Sequence, residues 1–202
     1  MDIKTQIDLI TNLSKIKQSL WLDHISREML FSNKLTELIK NYGISGLTSN
    51  PTIFEESIIN SNLYDESIKI LYSRNIKNPQ AIAYSLMIED IQRACDMFKE
   101  IYEKSNKNDG YVSIEISPYI KGTQNIIKEA EDLFKKIGRE NLMIKIPSDD
   151  DGIKAMHELI KKGINVNMTL IFSPHVYRKV AEKYIEAIRW RLKMVLMKTF
   201  FR

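Results

Sequence analysis

A lysine inside an apolar segment is the residue of this sequence that most clearly points to chemistry. Lys145 lies near the carboxyl end of residues 141–147, an apolar run of strand length with the sequence NLMIKIP. Such a run predicts a buried parallel strand. Burial disfavours the charged form of a lysine, and a neutral amine can attack a carbonyl carbon. The alternative is a lysine on an edge strand whose flexible stem carries its ammonium group to water.

Other polar side chains lie in or at the carboxyl ends of the other predicted strands. They are Asp23, then Thr48, Ser49 and Asn50, then Glu115, and finally Asn167 and Thr169. Because the carboxyl ends of the strands of a parallel barrel converge, this pattern favours one site over unrelated polar residues. Imine formation at a lysine needs a proton donor and a place for departing water. Two carboxylates in different environments can divide this work.

The elements that position these residues alternate regularly along the chain. Strands are predicted at 19–23, 44–47, 111–116, 141–147 and 164–171. Helices are predicted over 3–18, 32–43, from Pro51, 62–74, 79–104, 123–137, 151–162 and from 173 or 174 to at least 190. Ser32 and Asp151 are the expected caps of two of these helices. Repeated strand–helix units with short connections predict an α/β fold with a parallel sheet and right-handed crossovers.

Composition limits the classes of function. The 202 residues predict one domain or part of a larger one. The net charge of +4 comes from interspersed lysines and acids, which argues against nucleic-acid binding. Cys95 is the single cysteine, which excludes an internal disulfide framework and fits a reducing compartment. The polar amino terminus is not a secretory signal, and no apolar run is long enough for a membrane span, so a cytoplasmic location is expected. The three histidines, His24, His157 and His175, share no metal-ligand spacing, so no metal site is expected.

Several segments resemble those of the transaldolase family. Residues 46–54, GLTSNPTIF, are similar to the first family signature, and residues 142–147, followed by the Asp-Gly-Ile of 151–153, are similar to the second. Segments 21–23, 112–118 and 163–173 resemble family segments in the same order. The resemblance extends to about Arg191 and implies a class I aldolase of the (β/α)8 TIM-barrel type, without metal or other cofactor.

The resemblance also implies a reaction and a role for each site residue. A dihydroxyacetone unit would pass from sedoheptulose 7-phosphate to glyceraldehyde 3-phosphate, giving erythrose 4-phosphate and fructose 6-phosphate in the pentose phosphate pathway. Lys145 would form the Schiff base, Asp23 would move the proton of the donor hydroxyl, and Glu115 would activate the water. The implied substrate-binding residues are Thr48, Ser49, Asn50, Asn167 and Thr169, with Thr169 helping to hold the water and the two asparagines binding the dihydroxyacetone hydroxyls.

The sequence departs from the family at the loop after Lys145. Asp149 stands where family members usually have serine or threonine, and Ser148 stands where they often have glycine. An aspartate here adds negative charge near a phosphorylated substrate, so the detail of this loop is expected to differ.

The end of the sequence departs further. A closed barrel takes about 250 residues, whereas five strand–helix units are counted here, so an incomplete barrel over 1–191 is predicted. The sixth family strand, with a serine and an arginine for the substrate phosphate, has no counterpart. Residues 192–202 form an atypical basic, apolar tail. It is interpreted as an abnormal terminus of a truncated or frame-altered reading frame rather than as a membrane or partner helix, because its polar positions form no clean helical stripe.

The incomplete barrel leaves other functions open. One alternative is a non-catalytic remnant that binds sugar phosphate weakly or binds only a partner. Another is a sugar-phosphate aldolase that cleaves its substrate without transferring the product. Exposed strand edges also predict association into homo-oligomers.

Overall fold

The computed structural model describes residues 13–200, in which five strands alternate with helices. The strands are β1 (Leu20–Asp23), β2 (Ile44–Thr48), β3 (Val112–Glu115), β4 (Leu142–Pro147) and β5 (Asn165–Thr169). The sheet is parallel, and its strands follow one another in the order of the chain. The prediction of an α/β fold of the partial-barrel type, with five parallel strand–helix units, is thereby confirmed.

The helices connect these strands and have the following bounds: α1 (Arg27–Phe31), α2 (Lys34–Tyr42), α3 (Pro51–Ile59), α4 (Asp65–Ser73), α5 (Pro79–Lys104), α6 (Thr123–Ile137), α7 (Asp150–Lys161) and α8 (Pro174–Phe200). Short 3-10 helices occupy Leu13–Ile16 and Asn62–Tyr64. Most of the helix predicted over 3–18 lies outside the described residues. The five-residue helix α1 was not predicted, because it is too short to show a helical period.

The chain forms two compact units. The first comprises residues up to Ile114 together with Ile137–Leu142, and the second comprises Glu115–Lys136 and residues from Met143 onward. One cluster in the first unit consists of the buried Tyr64, Leu71 and Leu86 with partly buried isoleucines around them. The cluster of the second unit joins α7 and α8 through Met156, Ile160 and Ala187, and β5 packs on it through Val166 and Met168.

A glycine in the first unit makes room for an indole ring. Trp21 of β1 is the register partner of Gly46 of β2. A Cβ atom at Gly46 would lie 2.3 Å from Cε2 of Trp21, a distance that real Cβ contacts do not show. The glycine therefore lets the Trp21 ring lie across β2, two residues before the strand end that carries Thr48.

A second glycine lets helix α7 begin against the end of β4. A Cβ atom at Gly152 would lie 1.9 Å from the carbonyl oxygen of Pro147. Asp149 caps this helix, since its Oδ1 accepts the backbone N–H of Gly152 at 2.7 Å. The prediction that Asp151 is the cap is wrong: Asp151 lies in the first turn and accepts the hydroxyl hydrogen bond of Thr123 at 2.7 Å.

One other predicted boundary needs correction. Helix α2 begins one residue later than expected, because its N-cap position is Asn33 and not Ser32. The Ser32 hydroxyl still lies 3.3 Å from the backbone nitrogen of Lys34, which donates to it. Helix α8 continues without a break through residue 191 to Phe200, so no element ends where the tail was predicted to begin. Among the described residues, no helix is both long and apolar enough to cross a membrane.

Candidate active site

Lys145 occupies the partly open face of β4. The alternating residues Leu142, Ile144 and Ile146 are fully buried on the other face, and the Lys145 side chain is 15% exposed. In the order of the sheet, β4 stands between β3 and β5. The alternative of an edge strand whose lysine reaches freely into water is therefore wrong.

The nearest carboxylate to the lysine belongs to Glu115. Oε2 of Glu115 lies 3.3 Å from Nζ of Lys145, and its side chain is 18% exposed. The backbone reinforces this pairing, because the N–H of Ile116 donates to the carbonyl oxygen of Lys145 at 3.2 Å. An amine and a carboxylate at this distance can exchange a proton directly or through one water molecule.

Asn167 and Thr169 lie on the neighbouring strand. In the parallel register of β4 and β5, Lys145 is opposite Asn167 and Pro147 is opposite Thr169. Because side chains alternate along a strand, Asn167 and Thr169 share one face of β5. Four predicted site residues, namely Glu115, Lys145, Asn167 and Thr169, thus belong to the second unit.

A serine fixes the end of β5. Both the backbone N–H and the hydroxyl of Ser148 donate to the carbonyl oxygen of Thr169, at 3.0 and 2.7 Å. The next residue, Leu170, has a φ of 63°, a left-handed conformation that is unusual for a bulky side chain. Sequence analysis noted Ser148 only as a departure from the family. The structure gives it a defined role, since its two bonds hold the chain that carries Thr169.

Asp23 and Thr48 lie side by side in the first unit. They are register partners at the carboxyl ends of β1 and β2, and Asp23 is exposed. Thr48 is in turn opposite Ser113 of β3, whose hydroxyl donates to Oγ1 of Thr48 at 3.1 Å. Across β1, β2 and β3 the register therefore gives the order carboxylate, threonine hydroxyl, serine hydroxyl.

Ser49 and Asn50 have structural partners in the same unit. Ser49 is fully buried, and its hydroxyl donates to the carbonyl oxygen of Ser113 at 3.0 Å. Oδ1 of Asn50 accepts the N–H of Ile53 at 3.0 Å and so caps α3. Any bond from Asn50 to a substrate would therefore come mainly from its Nδ2 donors. That the residues of the first unit share a mouth with those of the second stays a prediction.

Sequence analysis missed two residues that hold these strand ends. Ser113 is fully buried, and its signal was a hydroxyl inside the apolar run of β3. Oε1 of Glu129 on α6 accepts the N–H of Ser117 at 2.8 Å, which fixes the turn that follows Glu115. Its Oε2 is buried and makes no hydrogen bond within the described part of the chain. No local pattern marked Glu129, because its partner lies on a separate loop.

A resident metal ion would need a set of ligands close together. Within residues 13–200, no group of three or more histidine, cysteine, aspartate or glutamate residues is arranged to hold one.

Comparison with known proteins identifies related chains. A family model described as transaldolase/fructose-6-phosphate aldolase matches residues 20–195. Transaldolase 2 of Nostoc sp. is 44% identical over 187 residues, which cover 91% of this chain and 49% of the relative. The transaldolase of Trichodesmium erythraeum is 42% identical over 188 residues, with coverages of 91% and 49%. That of Thiobacillus denitrificans is 36% identical over 183 residues, with coverages of 90% and 51%. The chain spans about half the length of the curated relatives it matches.

Proposed function

The chain belongs to the transaldolase/fructose-6-phosphate aldolase family, and from this premise we propose that it performs a transaldolase reaction through a Schiff base on Lys145. The observation that carries the proposal is the pairing of Nζ of Lys145 with Oε2 of Glu115 at 3.3 Å, with Lys145 on an interior strand of the sheet. A largely enclosed amine beside a carboxylate has both the nucleophile and the proton carrier that imine formation requires. The substrates of the proposal are sugar phosphates.

The first chemical step joins substrate and enzyme. The neutral amine of Lys145 attacks the carbonyl carbon of the ketose, and the proton released from nitrogen passes to the new alkoxide, which gives a carbinolamine. Protonation of the carbinolamine hydroxyl lets it leave as water, and a protonated imine remains. Glu115 is the group that carries these protons, and Thr169 helps to hold the departing water.

The second step breaks the carbon–carbon bond. Of the two carbons joined by the breaking bond, one leaves with the aldose phosphate, and Asp23 accepts the proton of the hydroxyl on this carbon. That hydroxyl becomes the aldehyde of the leaving aldose phosphate. The electrons of the broken bond move to the imine and form an enamine. The hydroxyls of the retained dihydroxyacetone unit bind Asn50 and Asn167, and Thr48 lies beside Asp23 in the register of β1 and β2. Addition of the enamine to a second aldehyde reverses the step and gives the imine of the product. Water then adds to this imine, and its hydrolysis releases the ketose product and frees the amine of Lys145.

Under this proposal, sedoheptulose 7-phosphate is the donor and glyceraldehyde 3-phosphate the acceptor. The products are erythrose 4-phosphate and fructose 6-phosphate, as in the pentose phosphate pathway. The proposed location is the cytoplasm, in line with the reduced state expected for the buried thiol of Cys95.

Chemical trapping tests the nucleophile. Borohydride with fructose 6-phosphate should leave a reduced adduct, and peptide mass spectrometry should find it on Lys145. Lys145→Arg should abolish the adduct, because arginine keeps the positive charge beside Glu115 but forms no imine. Lys154→Arg, at an exposed position on α7, is the matched control and should label as the unaltered protein does. An adduct that persists in Lys145→Arg would contradict the assignment.

An aldolase that cleaves without transferring is the second candidate, and the description of the matching family names such an enzyme. The two reactions differ in their need for an acceptor. With fructose 6-phosphate alone, an aldolase releases glyceraldehyde 3-phosphate continuously, whereas a transaldolase stops after a stoichiometric burst and resumes when erythrose 4-phosphate is added. Sugar-phosphate binding without trapping or release would instead indicate the non-catalytic alternative.

A further inference from the structure

A buried polar cluster lies among the helices of the first unit, away from the strand ends. Its centre is the hydroxyl of Tyr64, a residue that is fully buried. The backbone N–H of Arg27 donates to this oxygen at 3.2 Å, Oδ2 of Asp90 lies 2.7 Å from it, and Oγ of Ser57 lies 2.7 Å from it. These four residues, Arg27, Ser57, Tyr64 and Asp90, are called the Tyr64 cluster below.

The directions of these hydrogen bonds follow from which groups carry a hydrogen atom to donate. A phenol has one hydrogen, and the carboxylate of Asp90 can only accept, so Tyr64 donates to Asp90. Ser57 must then donate to Tyr64, and the N–H of Arg27 fills the remaining acceptor position. One oxygen atom therefore makes three hydrogen bonds, each to a different helix: α1, α3 and α5.

The Arg27 side chain closes the cluster. Its Nε donates to Oδ1 of Asp90 at 2.9 Å, and its two terminal nitrogens donate to Ser67 and Glu89 at 2.8 and 2.9 Å. The guanidinium carbon also lies 4.2 Å from the centre of the Tyr64 ring. Arg27 and Asp90 are 4% and 1% exposed, so displacing Arg27 would leave the buried charge of Asp90 without this counter-charge.

Two of the linked helices begin directly after proposed site residues. Asp23 ends β1, and the three-residue connection to α1 is itself anchored, because Ile25 is fully buried and Ser26 caps the helix by accepting the N–H of Met29 at 3.2 Å. Asn50 caps α3 with its own side chain. A shift of α1 against α3 would therefore move Asp23 against Asn50.

We infer that Tyr64 is a positioning residue: its hydroxyl fixes the placement of Asp23 relative to Asn50 by joining the helices that follow them. The inference rests on the proposed function for the roles of Asp23 and Asn50. Misplacement of a catalytic group by about 1 Å costs roughly a hundredfold in rate, so a fixed helix pair has kinetic consequences. Misplacement of Asp23 should slow bond cleavage and not imine formation, because imine formation uses Lys145 and Glu115, whereas bond cleavage also uses Asp23.

The kinetic test compares two tyrosine-to-phenylalanine variants. Tyr64→Phe removes only the shared oxygen, and Tyr72→Phe removes a hydroxyl from an exposed tyrosine on α4 as the matched control. In Tyr64→Phe, borohydride trapping on Lys145 should stay within about twofold of the unaltered protein, whereas kcat for release of glyceraldehyde 3-phosphate from fructose 6-phosphate, with erythrose 4-phosphate as the acceptor, should fall about tenfold or more. Tyr72→Phe should change neither quantity. Equal losses of trapping and release, or no loss of either, would overturn the inference.

Hydrogen exchange tests the coupling without any need for turnover. Tyr64→Phe should speed the exchange of backbone amides in both 27–31 and 51–59 by about tenfold, since both segments lose a bond to the same oxygen. Faster exchange confined to 62–73, or to one of the two helices, would overturn the inference. If the unaltered protein gives no adduct on Lys145, the proposed function fails, and this exchange pattern still decides whether Tyr64 couples the two helices.

Discussion

Two pairs of opposite charge in this protein are built in opposite ways. The Arg27–Asp90 pair lies among helices, its side chains are 5% and 2% exposed, and its other hydrogen bonds go to Ser67, Tyr64 and the half-exposed carboxylate of Glu89. The Lys145–Glu115 pair lies on strand residues, its side chains are 15% and 18% exposed, and its N–O distance of 3.3 Å is longer than the 2.9 Å of the first pair. A pair that is enclosed and fully bonded holds helices in place, whereas a pair with a path to solvent can exchange protons and admit a ligand.

The titration behaviour of the Tyr64 cluster agrees with this contrast. Burial raises the pKa of the Tyr64 phenol to about 12. Burial also raises the pKa of the Asp90 carboxyl, against the opposing hydrogen bond from Tyr64 and the charge of Arg27. Desolvation is thus the largest influence on both groups, so the cluster depends on every partner remaining in place.

Replacing one carboxylate in each pair by its amide should give the largest difference between the two pairs, in the free energy of unfolding and in the rate of trapping. Asp90→Asn leaves the buried Arg27 guanidinium with only the half-exposed Glu89 as counter-charge and should lower the free energy of unfolding by about 3 kcal/mol. Glu115→Gln should cost about 1 kcal/mol or less, because its partner keeps some access to water. The same Glu115→Gln change should slow borohydride trapping on Lys145 by about a hundredfold, since it removes the proton carrier.

Urea unfolding at neutral pH and the rate of adduct formation measure the two effects. The expected pattern is opposite in the two variants, with stability lost in one and trapping lost in the other. If both variants lost similar stability, the two pairs would be equivalent in structure and the contrast would be wrong.

The elements were largely predictable from sequence because their signals are local. Alternation and apolar runs marked all five strands, the glycines after the helices marked helix ends, and the bounds of α6 at Thr123 and Ile137 agree with the prediction. The pairing of Lys145 with Glu115 could also be predicted from sequence, because residues at the ends of neighbouring parallel strands must lie close together.

What sequence reasoning missed depends on contacts between distant residues. Arg27 and Asp90 are 63 residues apart in the sequence, and neither lies in a local pattern that marks the other. The choice of Asp149 over Asp151 as helix cap was equally hidden, since three consecutive aspartates are all suitable caps. The close approach of Gly152 to the Pro147 carbonyl sets where the helix starts, and this is a tertiary contact.

A smaller effect should appear at alkaline pH and only in the helix cluster. The raised pKa of Tyr64 means that its contribution to stability is complete below the unfolded-state value near 10 and is lost as pH rises through about 12. One such group changes the free energy of unfolding by about 1.4 kcal/mol per pH unit, or roughly 2–3 kcal/mol over this window. Tyr64→Phe lacks this group, so the difference in free energy of unfolding between this variant and the unaltered protein should shrink between pH 10 and 12, as measured by urea unfolding. A constant deficit would show that Tyr64 does not titrate with a raised pKa.

The smallest effect concerns Asp149, which lies two residues after the strand that carries Lys145. Asp149 departs from the serine or threonine expected from family resemblance, yet its Oδ1 accepts the Gly152 N–H at 2.7 Å, as a serine or threonine hydroxyl at a helix cap would. If the charge serves only as a cap, Asp149→Ser should change stability by a few tenths of a kcal/mol and Asp149→Ala should lower it by about 1 kcal/mol. Trapping on Lys145 should be unchanged in both, because chemistry at this strand is assigned to Glu115. A change in trapping for Asp149→Ser at unchanged stability would mean that this carboxylate acts on the reaction. Asp149 would then belong with Glu115 among the groups that take part in the chemistry.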